Sequence, residues 1–137
     1  VNKKLKLEIY KKTWGNCAYC GKFYFLFNRW VIEHIEPKSK GGKDDLDNLI
    51  LSCPSCNTKK NNRNPVEFKQ YISEMAMDYF YTMMNNKYVS YALLSMMSKD
   101  DAMMAVGKIQ TIIEKCFSID NLNFYFERHK DGEEDLD

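Results

Sequence analysis

The spacing of apolar and polar positions changes character along the chain. In residues 5–14, Leu5, Ile9 and Tyr10 fall on one face of a helical repeat otherwise rich in lysine, which predicts a short basic helix. Aromatic and β-branched residues then crowd segments 22–28 and 29–35, the composition of paired strands, and predict a tight hairpin. Residues 38–47 read as a polar loop in which Gly41-Gly42 frees the backbone. Ser52 stands where an N-cap belongs, ahead of a helix over 53–61 that tolerates Pro54 in its first turn. Asn64-Pro65-Val66-Glu67 is a second helix start, with Asn as cap, Pro at the first helical position and Glu two residues further on. The helix it opens should reach about Met84 and break at Asn85-Asn86. Further helices are predicted over 88–97, from Ser98 and Asp101 to about Phe117, and briefly within 119–130, before an acidic tail at 131–137 that should fray.

These elements give an α+β chain: a mixed unit over residues 1–63, a helical extension over 64–130 and the tail over 131–137. At 137 residues and 45% hydrophobic, the chain has enough apolar surface for a packed core, which excludes wholesale disorder. No apolar run approaches the ~20 residues of a membrane span, and no signal-peptide core is present, so a soluble, cytoplasmic protein without a membrane partner is expected. The formal net charge of +1 conceals an asymmetry. Residues 1–69 hold fourteen basic and seven acidic side chains, whereas 70–137 hold six basic and twelve acidic ones. The first part is therefore +7 and the second −6, so a polyanion would meet the first and be repelled by the second.

Four of the five cysteines form two Cys-x-x-Cys pairs, Cys17/Cys20 and Cys53/Cys56, a spacing at which two tight turns can complete a tetrahedral S₄ shell around one Zn²⁺. Disulfides or a redox pair are the rival readings, but nothing marks the chain as secreted and a redox motif needs one copy. A closed shell leaves the zinc no vacant position, so its role would be structural. The fifth, Cys116, falls in an apolar stretch and reads as a buried small hydrophobe.

Between the pairs lies Trp30-Val31-Ile32-Glu33-His34-Ile35-Glu36-Pro37-Lys38-Ser39-Lys40-Gly41-Gly42, followed by Asp47-Asn48-Leu49 and by Cys53-Pro54-Ser55-Cys56-Asn57 with lysines close behind. This ordered set resembles the HNH endonuclease family in its zinc-binding ββα-metal form, over roughly residues 5–62. The resemblance implies a zinc-stapled, treble-clef-like core and a metal-dependent hydrolase that cuts DNA phosphodiester bonds. It implies His34 as general base, Glu33 and Asn57 as holders of a catalytic Mg²⁺ or Mn²⁺, and Asn48 as the residue that pins the loop behind the histidine.

The residues support that chemistry on their own terms. An imidazole with a reference pKa of about 6.5 keeps a neutral fraction that can take a proton from water. Glu33 and Asn57 offer hard oxygen donors, suited to Mg²⁺ or Mn²⁺. Strict strand alternation, however, would turn Glu33 and His34 to opposite faces unless the strand ends or bulges before Pro37. Lys38, Lys40, Lys43, Lys59, Lys60 and Arg63 flank the motif and are expected on nucleic-acid phosphates, giving salt-sensitive binding with little sequence preference. Two other readings remain open: a zinc-knuckle nucleic-acid-binding or adaptor module without catalysis, and a nuclease acting mainly on RNA or single strands.

The eight methionines all lie between Met75 and Met104, interleaved with tyrosines. They form either an ordinary helical core or an adaptable face for a homodimer or protein partner. His129, among charged residues near the tail, reads as inert.

Overall fold

The computed structural model describes residues 2–129, so the acidic tail lies outside the described residues. The fold is mixed α+β, and residue contacts divide it into two compact units, Val1–Phe68 with Asn123–Asp137, and Lys69–Leu122.

The first unit begins with α1 (Lys3–Thr13), capped by Asn2, whose side chain accepts the Leu5 amide. Trp14 ends it in the left-handed region. Ile9 is fully buried against Trp30, Leu49 and Leu51, with Leu5 and Tyr10 packed beside them, which is the inward face the helical repeat predicts. The sheet has two antiparallel strands, β1 (Val31–His34) and β2 (Leu49–Ser52), in the register Val31 to Ser52 and His34 to Leu49. All four residues of β2 are buried, and α1 packs across that strand. Helix α2 (Pro54–Lys60) follows directly and lies against β1.

Two expectations need correction here. The hairpin within 22–35 does not form: β1 pairs with the apolar Leu49–Ser52 instead, and the upstream segment keeps one bridge, Asn16 to Phe23. Asn28 explains this locally, because its side chain accepts the Phe25 amide and folds residues 25–28 into a turn. Nor is Ser52 the cap of α2. It belongs to β2, and Cys53 takes the position, its sulfur accepting the Cys56 amide at 3.3 Å.

The loop between the strands holds a close approach. A side chain at Gly42 would put its first carbon 1.8 Å from the Glu36 carbonyl oxygen, and Gly41 adopts φ +92°, so the glycine pair is required by space and by conformation.

Helix α3 (Pro65–Met84) starts in the first unit on the capping box read from the sequence: Glu67 N–H donates to the Asn64 side chain at 2.8 Å, and Asn64 N–H donates to Glu67 at 3.1 Å. Phe68, 2% exposed, meets Tyr19 and Phe124 edge-on and stacked, with ring centres 5.4 and 5.2 Å away. Residues 64–68 and 123–129 therefore group with the cysteine-bearing unit, and not with the extension expected over 64–130. The return segment includes α6 (Tyr125–Arg128), which is shorter than the helix expected within 119–130.

In the second unit α3 continues, and α4 (Lys87–Met96) and α5 (Lys99–Cys116) pack together, with α5 capped by Ser98 as anticipated. Among its described residues Phe80 and Ala102 are buried, while Tyr79, Tyr88, Tyr91, Met96, Met103 and Met104 are exposed. Cys116 is exposed too, contrary to the buried role its apolar neighbours suggested, because it lies on the outward side of an amphipathic helix. The charge map also shifts. Lys69–Leu122 carries five basic and six acidic residues, close to neutral, and five of the twelve acids after residue 69 lie in 131–137. No described helix is long and apolar enough to cross a membrane.

Because Phe68 is buried against the rings of Tyr19 and Phe124, Phe68→Ala should cost about 3–5 kcal/mol. Urea unfolding followed by circular dichroism measures it, and a loss below about 1 kcal/mol would mean the aromatic cluster relaxes around the hole.

Candidate active site and metal centre

The first cysteine turn is built between α1 and residue 22. Cys17 N–H bonds the Lys22 carbonyl at 2.7 Å, Gly21 N–H returns to the Cys17 carbonyl at 2.9 Å, and Ala18 N–H reaches across to Leu51 at 2.8 Å. The second turn caps α2. Together they bring the sulfurs of Cys17, Cys20, Cys53 and Cys56 within 4.8 Å of one another, and Cys20 Sγ stands 3.8 Å from Cys53 Sγ. Four sulfurs at ~2.3 Å from a tetrahedral Zn²⁺ have edges of ~3.8 Å, so the cluster could hold a metal such as zinc. Their electrostatics agree. A hydrogen bond from Cys56 draws the Cys17 thiol down to about 4, and the same contact pushes Cys56 up. A cation at the centre of the cluster would favour thiolate over thiol.

Tyr19, inside the first turn, extends this centre toward β1. Its hydroxyl donates to Glu33 Oε2 at 2.9 Å, and Lys60 Nζ lies 3.3 Å from Glu33 Oε1 and 3.0 Å from the His34 carbonyl oxygen. Lys60 is fully buried and Glu33 is 7% exposed. Burial raises the Glu33 carboxyl above its usual range, and the Lys60 ammonium and Tyr19 hydroxyl oppose that rise. Burial and the adjacent carboxylate likewise push the Tyr19 phenol up, which keeps it a donor.

Two assignments change as a result. Lys60 is not a surface cation for a nucleic-acid phosphate; it neutralises Glu33 inside the fold. Glu33 does not share a surface with His34, because regular alternation along β1 turns it inward, and both of its oxygens are committed to protein donors. As arranged, it does not fit the part of an ion ligand.

His34 faces the other way, with its side chain 27% exposed. Its Nε2 lies 2.7 Å from Asp44 Oδ1, and Lys38 Nζ lies 3.0 Å from Asp44 Oδ2. These contacts hold the Asp44 carboxyl below its usual range, the His34 hydrogen bond being the largest cause. Asp44 is thus an anion wherever imidazole titrates, and it accepts the Nε2 proton, leaving Nδ1 as the nitrogen with a free lone pair. Asn48 braces the loop between them: its amide donates to the Glu36 and Lys43 carbonyls at 3.0 and 2.9 Å, and its oxygen accepts the Glu36 amide at 2.8 Å.

Asn57 lies three residues before Lys60 on the same face of α2, half-buried, and its side-chain amide has no partner among the described residues. Lys38 and Lys40 are paired, with Asp44 and Glu67 respectively, and Arg63 donates to the Lys59 carbonyl. Lys43 and Lys59 are exposed without an acidic partner among the described residues. Asp44 and Tyr19 contribute to the site without standing out in the sequence. Asp44 was hidden among three acids within four residues, and Tyr19 between two cysteines that claimed attention.

Comparison with known proteins agrees with the motif. Residues 17–63 match the family model of the HNH endonucleases, a stretch running from the first cysteine to Arg63 and containing His34, Asp44, Asn48 and Asn57. No curated protein and no solved structure matches the chain.

The buried pair can be tested without reference to activity. Lys60→Met should destabilise the fold by about 3–5 kcal/mol by stranding Glu33, and adding Glu33→Gln should recover much of that loss. Denaturant unfolding of the single and double variants checks this, and additive losses would show that the two groups are uncoupled.

Proposed function

We propose that residues 17–63 form a phosphodiester hydrolase of the HNH kind, acting on DNA, in which His34 is the general base and Asp44 its positioning residue. The His34–Asp44 contact of 2.7 Å carries the proposal, because it fixes both the ring and the nitrogen that receives a proton. Nδ1 would take a proton from a water as that water attacks phosphorus and the ester bond to the leaving 3′ oxygen breaks, that oxygen then taking a proton from solvent; Asp44 would stabilise the imidazolium that forms. Lys43 and Lys59, exposed and unpaired with acids among the described residues, would meet phosphates flanking the scissile bond. Asn48 would hold the loop that presents Asp44.

The sulfur cluster would bind one structural Zn²⁺, completing a ββα-metal core from β1, β2 and α2. The second ion implied by the family resemblance, Mg²⁺ or Mn²⁺, was expected on Glu33 and Asn57. Glu33 does not fit that role, and Asn57 remains as a candidate donor.

Supercoiled-plasmid nicking with Mg²⁺ or Mn²⁺ supplied tests the reading. His34→Ala should lower the rate by about 10²–10⁴-fold. Asp44→Asn should lower it less and shift the pH profile, since the amide holds the ring without stabilising its cation. Absence of nicking by the unaltered chain across divalent metals, with DNA binding retained, would replace the enzyme by a binding module. For the sulfur cluster, metal analysis should find one ion per chain, and a strong chelator should lower the melting temperature. A chain that is metal-free and equally stable would reject it.

A further inference from the structure

Segment 22–29, between the first cysteine turn and β1, presents an unusual surface. Phe23, Phe25 and Phe27 are 50%, 58% and 86% exposed. Their rings touch in series: Phe23 meets Phe25 edge-on at 5.0 Å, and Phe25 and Phe27 are parallel within 10° with centres 6.2 Å apart. The intervening Tyr24 instead packs against the Ile9–Trp30 core. Three neighbouring exposed phenylalanines form an apolar patch that needs a ligand-side explanation.

The backbone beneath the rings is pinned. Tyr24 N–H bonds the Gly15 carbonyl at 2.7 Å, the Tyr10 hydroxyl donates to the Tyr24 carbonyl at 2.8 Å, and Trp30 Nε1 donates to the Leu26 carbonyl at 3.0 Å. A pinned loop presents its rings at little entropic cost. Charge then decides what they meet. Between Trp14 and Ile32 the charged residues are Lys22 and Arg29, both basic and both exposed. Flat π faces on a segment whose charged residues are both cations suit nucleobases and their phosphates. In a duplex the base faces already stack on one another, so the matching ligand has unpaired bases.

We propose that Phe23, Phe25 and Phe27 form a stacking platform for the unpaired bases of a single-stranded nucleic acid, with Lys22 and Arg29 on its phosphates. The proposal deepens the hydrolase reading by naming the form of substrate, since Arg29 and Trp30 lead directly into the strand that ends at His34.

The test uses the full chain carrying His34→Ala, so that binding is read without cleavage. Fluorescence anisotropy compares labelled single-stranded DNA, single-stranded RNA and a duplex of equal length at one salt concentration. At least one single strand should bind more tightly than the duplex. Phe25→Ala and Phe27→Ala should each weaken single-strand binding by about tenfold and leave duplex binding unchanged. Phe27→Trp should bind as tightly as Phe27 or tighter, with its fluorescence quenched by the oligonucleotide. At 86% exposure neither change at position 27 threatens the fold. Phe27→Leu separates stacking from simple apolarity: it should lose affinity as alanine does. Full retention by leucine would overturn the proposal in favour of a protein-facing patch, and tighter duplex than single-strand binding by every ligand pair would overturn it outright. Either failure leaves the plasmid-nicking result standing, and loss of nicking leaves the platform standing.

Discussion

Enclosing the Lys60 ammonium is the constraint on which the first unit depends. A fully buried cation is tolerable only if its partners are already in place, and here they come from β1 and, through Glu33, from the first cysteine turn. Glu33 supplies the countercharge from β1, the His34 carbonyl adds a second acceptor, and Tyr19 saturates the other carboxylate oxygen from within the first cysteine turn. The first cysteine turn, the strand and α2 therefore meet in one geometry. The sulfur cluster ties the first cysteine turn to the start of α2 a second time, through Cys17 and Cys20 from the one and Cys53 and Cys56 from the other. A consequence for His34 is that its backbone is fixed from the interior while its ring is steered from the surface by Asp44.

Much of this was readable in the residues. The paired cysteines, the Asn64–Glu67 capping box and the Ser98 cap are local signals whose physics is complete within a few residues, and the structure carries all three. The inward face of α1 followed from simple helical spacing. What failed was non-local. Choosing a partner for β1 depends on which apolar segment is nearest in the folded chain, and Leu49–Ser52 outcompeted the aromatic neighbour in sequence. The roles of Glu33 and Lys60 turned on burial, which no sequence window reports. Glu33 turns inward as strand alternation predicts, although the motif implies an ion ligand there.

Charge shows the same limit. Dividing the chain at residue 69 suggested an acidic helical half, yet Lys69–Leu122 is nearly neutral, and much of the negative charge belongs to the last few residues. The helical unit is distinguished instead by how little it buries. Its methionines and tyrosines are largely exposed, and among the described residues Phe80 and Ala102 are its buried ones.

The rings of Phe68 and Phe124 stack 5.2 Å apart at the two points where the chain leaves and re-enters the first unit. A path that departs and returns at neighbouring positions makes residues 69–122 an insertion into an otherwise continuous framework. The sulfur cluster and the His34 loop lie wholly outside residues 69–122. The fold is thereby a chassis with a socket, in which the chemistry and whatever the helices contribute can diverge independently.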